Sequence, residues 1–247
     1  MRKPRIYHPH PLTTTTTVSL TANASAHIAR VLRLKKGAEL ILFNGHGGEF
    51  DAVIDDVEKH QVYATITHYH DINRESPLYL HLGQGISRGE KMDYTIQKAV
   101  ELGVQEITPL FTERSEVRLD KERSAKRLRH WEAIIISACE QSGRTHIPII
   151  HEPCELKVWL ALQTESLKLM FHPIATMTLH QLTPAKSIRV VIGPEGGFSD
   201  KEITFATTEN FSVLQLGPRV LRTETAAVAA LCALQCHWGD LSLNNPL

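Results

Sequence analysis

Apolar and polar positions alternate with period two from Ala38 to Tyr69, in the runs AELILF, EFDAVI and QVYATITHY. Their β-branched and aromatic residues suit a pleated, half-buried surface. NGHGG joins the first two runs as a turn, so this stretch predicts a small β-rich domain. From Ser76 the pattern changes. LYLHLGQGI reads as a strand, and Met92, Ile96, Ala99 and Val100 then fall on one helical face. Ser87 and Glu90 have capping-box spacing at the start of that helix, and Gly103 stands where it should stop. The boundary falls in DINRESP (71–77), which gives domains at 1–73 and 74–247.

The order continues as a strand (VQEITPLF), a helix from about Ser124 to Gln141 with Leu128, Trp131, Ile135 and Ala138 on one side, two strands (LKLMF, IRVVI), a helix, a strand (VLQL) and a last helix. Strands alternating with helices predict a mostly parallel α/β sheet. Thr13 to Thr17 is a short loop-like run, and no internal repeat is found.

With 247 residues and 42% hydrophobic content the chain can bury a sizeable core in one or two domains. Lys+Arg and Asp+Glu both number 27, which excludes a uniformly basic nucleic-acid coat and an acidic disordered tail. No run of 18 apolar residues occurs and MRKPRIYHPHP lacks a signal-peptide core, so a cytoplasmic protein without a membrane segment is expected. Cys139, Cys154, Cys232 and Cys236 form no CxxC pair and read as reduced, packed thiols. The charge is unevenly placed. Arg2, Lys3, Arg5, Arg30, Arg33, Lys35 and Lys36 precede position 37 with no acid among them. Beyond it Glu39, Glu49, Asp51, Asp55, Asp56, Glu58 and Asp71 face only Lys59. A basic lobe of this kind suits RNA phosphates, the alternative being a solvated face.

Three strand ends carry candidate chemistry. IRVVI runs into Gly193-Pro-Glu-Gly-Gly197, and Ser199 with Glu202 forms a capping box that opens a helix, a ligand-site arrangement at the carboxyl end of a sheet. The loop is neither GxGxxG nor a P-loop, and Glu195 would repel a pyrophosphate while tolerating a neutral or cationic ligand. The alternative is a turn whose glycines serve only the backbone. A second Gly-Pro turn follows VLQL at Leu216-Gly-Pro-Arg219, with Arg219 and Arg222 flanking it and Thr223 a candidate helix cap. LKLMF ends at His172-Pro173 as the third. Arg114, Arg118 and Arg144 stand next to turns and suit either RNA or solvent. The Ala-rich segment Ala226 to Trp238 reads as an interior or interface helix. Its Cys232, Cys236 and His237 read as packing residues, and no metal site is expected.

KMDYTIQKAVELGV (91–104), ITPLFTERSEVRL (107–119), ACEQSGR (138–144), VIGPEGGFSDKEI (191–203) and LGPRVLRTETA (216–226), with PRIYHP (4–9) and HIARVLRLKKG (27–37), resemble the RsmE family over nearly the whole chain. That family transfers a methyl group from S-adenosylmethionine to N3 of a uridine in 16S ribosomal RNA. The resemblance implies a PUA-like β-barrel followed by a SPOUT-type parallel-sheet domain with a trefoil knot, working as a homodimer on 16S rRNA or the assembled small subunit. It implies that the cofactor lies among Met170, Phe171 and His172; Ile192, Gly193, Pro194, Gly196 and Gly197; and Leu216, Gly217, Pro218, Val220 and Leu221. Arg222 or Arg219 would supply positive charge at the reacting base, and Glu224 or Glu195 would accept its proton. The expected RNA clamp is Arg2, Arg5, Arg30 and Arg33 with Arg114, Arg118, Arg144 and Arg219. The runners-up are a ribose 2′-O-methyltransferase and a non-enzymatic RNA-binding assembly factor.

Overall fold

The computed structural model describes residues 3–59, 61–117 and 120–241, with only the backbone at Lys121. The chain divides into two compact units. One runs up to Glu75 and is completed by Ile136–Ile147; the other comprises Ser76–Ile135 and the chain from Pro148 onward. The boundary thus lies two residues beyond the expected one, and a later segment read as part of the second domain belongs to the first.

In the first unit β1 (Arg5–Tyr7), β2 (Thr17–Ser19), β3 (Glu39–Phe43), β4 (Glu49–Val57) and β5 (Val62–His70) form one sheet in the order β1-β3-β4-β5-β2. β1 pairs parallel to β3 and the other neighbours are antiparallel. The period-two runs are β3 to β5. Leu40 and Leu42, then Phe50, Ala52 and Ile54, then Val62, Ala64 and Ile66 turn to a common core with Ile6, Leu20 and Ile28. Between β2 and β3, α1 (Ala22–Ala26) is capped by Thr21, whose Oγ1 accepts from the Ala24 N–H. It passes into a π-helical turn (His27–Leu32) stopped by Arg33 at φ 52°.

The second unit holds β6 (Tyr79–Gly85), β7 (Glu106–Phe111), β8 (Ile149–Ile150), β9 (Cys154–Glu155), β10 (Leu167–Phe171), β11 (Ser187–Ile192) and β12 (Ser212–Leu214). Every pairing is parallel, in the order β12-β10-β11-β6-β7-β8 with β9 also on β7. Its strands are largely buried, as a sheet covered on both faces requires: Ile188, Val190, Val191 and Ile192 of β11 are all buried, with Arg189 buried among them. The helices are α2 (Glu90–Glu101), α3 (Lys121–Ser142, whose last turns belong to the first unit), α4 (Leu156–Leu160), α5 (Asp200–Thr208) and α6 (Thr223–Trp238).

The expected cap at Ser87 does not form. Gly89, at φ 56°, turns the chain directly into α2, and the Ser87 hydroxyl is buried without a hydrogen-bond partner among the described residues. The box at α5 does form, Ser199 and Glu202 each accepting from the other's backbone N–H. β12 lies at the outer edge beyond β10, yet α6, which follows it, packs on α2 and β11. Gln235 fixes the far end of α6, accepting from the Ser76 hydroxyl at 2.7 Å and donating to the Leu102 carbonyl at 2.8 Å.

Candidate active site

Three loops follow the carboxyl ends of β10, β11 and β12, and they wall one cavity of about 560 Å³. Its apolar side is formed by Phe171, Ile192, Leu216, Val220 and Leu221, and its polar groups come from the loops and the start of α6. This size and mixture suit a small organic ligand. The loops are tied together from below. The His172 N–H donates to the Leu214 carbonyl (2.9 Å), and the Gln215 side chain donates to the Pro173 carbonyl (2.9 Å).

The Gly193–Gly197 loop is a tight turn closed by the Gly197 N–H on the Pro194 carbonyl, with Gly197 at φ +65°. Gly217 is likewise at φ +70°, and a side chain at either position would project into open space. Beneath the loop Thr223 is the first residue of α6 rather than its cap. Its hydroxyl donates to the Gly193 carbonyl at 2.6 Å and accepts from the Gln84 side-chain amide at 3.0 Å. Thr223 and Gln84 are buried, Gln84 fully.

Glu195 points away from a free catalytic role. It accepts from the Arg88 N–H at 3.2 Å and from the Lys91 ammonium at 3.1 Å. Burial works to raise its carboxyl, but its own and the Arg88 backbone N–H groups, together with Lys91, outweigh that and hold it below the ordinary range. Lys91, from the first turn of α2, itself lines the cavity. Arg219 and Arg222 also line it and have no ion-pair partner among the described residues. His172 is held below the usual histidine value chiefly by burial, with the charge of Asp200 opposing and that of Arg114 adding.

Of the residues expected around a cofactor, Phe171, His172, Ile192, Gly193, Pro194, Gly197, Leu216, Gly217, Val220 and Leu221 line this cavity. Met170, Gly196 and Pro218 do not. Met170 is fully buried in the core with Val191 and Phe198, and Pro218 is exposed on the outer side of its loop. A Cβ on Gly196 would meet the Arg114 Cβ at 2.9 Å and the Arg114 carbonyl at 3.0 Å, so this glycine admits a neighbouring strand end rather than a ligand. Glu224 stands in the first turn of α6, outside the cavity lining, with Oε2 buried and unpartnered among the described residues. Lys91, Phe198, Thr223 and Ala226 line the cavity without having been singled out for it. Lys91 opens a segment read for its helical period and quoted for the family resemblance, with no site role assigned to it.

The expected RNA arginines separate. Arg30 and Arg33 are exposed beside Lys35 and Lys36. Arg5 and Arg144 are buried: Arg5 pairs with Glu49 and stacks on the Phe43 ring, and Arg144 pairs with Glu75 through Nε at 2.9 Å. Their guanidiniums hold the first unit together, which corrects their reading as phosphate contacts. Lys3 is occupied by Glu39 and Asp51, and Arg114 donates to the Gly196 carbonyl at 3.2 Å. Arg2 and Arg118 lie outside the described residues. The cysteines are free thiols. Cys139 is buried and its thiol is pushed up to about 12 by burial, while Cys236 is exposed rather than packed. Among the described residues no helix is long and apolar enough to cross a membrane.

Two family models match the chain: an RNA methyltransferase domain over residues 74–235 and an RNA methyltransferase PUA domain over residues 20–67. The ribosomal RNA small subunit methyltransferase E of Buchnera aphidicola (subsp. Schizaphis graminum) is 43% identical over 98% of this chain and 99% of its own. The Bacillus subtilis protein of the same name is 30% identical over 88% and 89%. The crystal structure of the Neisseria gonorrhoeae ribosomal RNA small subunit methyltransferase E bound to S-adenosyl methionine superposes with a TM-score of 0.91, at 40% identity, covering 98% of this chain and all of that one.

Proposed function

This chain belongs to the ribosomal RNA small subunit methyltransferase E family, and on that premise we propose that it catalyses S-adenosylmethionine-dependent methylation of uridine N3 in small-subunit (16S) ribosomal RNA. The observation that carries the reading is the convergence of three strand-end loops on one cavity rimmed by two arginines, Arg219 and Arg222, without acidic partners among the described residues. Phe171, Ile192, Leu216, Val220 and Leu221 offer apolar walls, and Gly197 and Gly217 leave space at their Cα atoms that a side chain would fill, so the residues present fit the cofactor. Bound there, S-adenosylmethionine supplies a methyl group activated by a positive sulfonium.

Uridine N3 carries a proton and lies on the pairing edge, so the base must be unpaired before it can react. Arg222, with Arg219 beside it, stabilises the deprotonated base, and orientation within the cavity supplies much of the remaining acceleration. Glu195 is an anchor: its pairing with Lys91 fastens the glycine loop to α2 and lowers its affinity for a proton. Glu224 stands outside the cavity, so the N3 proton passes to water. RNA is held through the exposed Arg30, Arg33, Lys35 and Lys36 of the first unit.

We read the return of α6 onto β11 as the closing of a trefoil knot, a reading supported by the edge position of β12 and the anchoring of Thr223 under the Gly193 loop. A homodimer is supported by α6, whose Val228, Ala229, Cys232 and Ala233 remain partly exposed on an apolar side. Light scattering at micromolar concentration tests this; a monomer refutes it. A cytoplasmic location follows from the substrate. The deciding experiment compares the nucleosides of small-subunit RNA from cells with and without this protein. Loss of 3-methyluridine supports the activity, whereas loss of a 2′-O-methylated nucleoside or no change overturns it.

A further inference from the structure

His81, Glu106 and His151 come from three separate segments of the second unit and meet on one face of its sheet. His81 on β6 is the register partner of Glu106 at the start of β7, and Glu106 in turn pairs with Ile149 of β8. His151 follows Ile149 by two residues, and the period of a strand returns it to the same face. Glu106 Oε2 lies 3.5 Å from His81 Nδ1 and 2.6 Å from His151 Nε2, and one ligand atom from each residue lies within 4.8 Å of the other two.

The remaining polar atoms of the cluster are turned to other partners. His81 Nε2 is hydrogen-bonded to the Thr108 hydroxyl at 2.8 Å, which leaves Nδ1 facing the carboxylate. The Tyr79 hydroxyl donates to Glu106 Oε1, which leaves Oε2 for the two imidazoles. Outer partners that fix a histidine tautomer and a carboxylate rotamer are the usual support of a metal ligand set. Arg189, the register partner of His81 on β11, commits its N–H groups to the carbonyls of Leu162 at 3.0 Å and Trp159 at 2.7 Å, although its charge is still felt at His81 and Glu106. His151 is half-exposed, which gives an entering ion both a path and room for a water ligand.

We propose that His81 Nδ1, Glu106 Oε2 and His151 Nε2 form a binding site for a divalent transition metal, Zn²⁺ being the best match to two imidazoles, one carboxylate and a fourth position open to water. The site sits toward the amino ends of β6 and β7, away from the loops that follow β10, β11 and β12. It therefore ties together three sheet segments and takes no part at the cavity.

The test uses full-length protein stripped with a chelator and titrated with Zn²⁺ alone by calorimetry and with Co²⁺ alone by visible absorption. Wild type is expected to bind one Zn²⁺ more than His151→Ala, and its thermal midpoint to rise with Zn²⁺ while that of the variant does not. Thr108→Val, which removes only the outer partner, is expected to weaken binding by about 10–100-fold. His70→Ala, which breaks the histidine and Asp51 pair of the first unit, is the control and leaves this site intact. Circular dichroism of the metal-free proteins checks folding; should Glu106→Gln not fold, the exposed His151→Ala still decides. Equal Zn²⁺ stoichiometry and affinity in wild type and His151→Ala, or no binding by wild type, overturns the proposal.

Discussion

Thr223→Val tests whether the floor of the cavity depends on one hydroxyl. The substitution keeps the branched shape, so little of its effect arises from packing volume. It removes the donor to the Gly193 carbonyl and the acceptor for one Gln84 N–H. Gln84 is fully buried and its other N–H already serves the Gly85 carbonyl, so its orphaned N–H reaches neither water nor another partner, whereas the Gly193 carbonyl lies at the cavity lining. An unsatisfied buried group costs about 1–3 kcal/mol, which is the loss expected from the Gln84 N–H alone. Thr223→Ser keeps the hydroxyl and loses one methyl, about 0.8 kcal/mol. Urea unfolding followed by tryptophan fluorescence reads the right unit, because Trp131, Trp159 and Trp238 all belong to the second. Val should be clearly less stable than Ser, and the Gly193 loop, freed from α6, should bind S-adenosylmethionine more weakly. A valine variant within about 0.5 kcal/mol of wild type, the range of an ordinary surface change, would refute the reasoning.

Gly217→Val places a branched residue at φ +70° in the cavity wall, so calorimetry should show cofactor binding weakened in a folded protein, with a backbone strain of about 1–3 kcal/mol. For the Lys91 and Glu195 pair the folded carboxyl lies below its ordinary 4.5, so its stabilisation is fully present above pH 4.5 and fades as pH falls through the lower folded value; an acid titration of Glu195→Gln should lack that limb. Arg30→Ala with Arg33→Ala should weaken RNA binding across sequences and flatten its salt dependence by about one unit per lost contact, read by filter binding. Arg144→Ala instead leaves the half-buried Glu75 carboxylate without its guanidinium and should clearly lower first-unit stability, seen in thermal melts by circular dichroism.

Sequence periodicity exposes an element most readily when it is long enough to repeat. β3, β4 and β5 showed their two-residue alternation, and β6, β10 and β11 their clusters of apolar residues, because each covers at least five residues. β1, β2, β8 and β9 cover two or three residues, and their pairing comes from neighbours distant in the chain. The cavity was legible because its loops carry glycine and proline directly after apolar strands, a local signal. Arg5 and Arg144 were misread because a basic residue near a turn looks alike in sequence whether it faces solvent or a buried glutamate, and Glu49 and Glu75 lie far along the chain. Thr223 drew notice as a cap, its commonest use at a helix start. Only the fold reveals the Gly193 carbonyl above it.

The first unit is not a continuous piece of polypeptide. Its β1 backbone gives the Tyr7 N–H to Glu140 at 2.9 Å, and burial raises that carboxyl above its ordinary value; Glu75 finds its guanidinium on Arg144. Both partners reside in Ile136–Ile147, reached only after the chain has run through Ser76–Ile135. A fragment ending at Glu75 would carry an acid without its base and a strand amide without its acceptor. The module can thus be transplanted, permuted or fused only with the tail of α3 included. A ribosome synthesising the chain from its amino end cannot complete this unit until residue 147 has emerged.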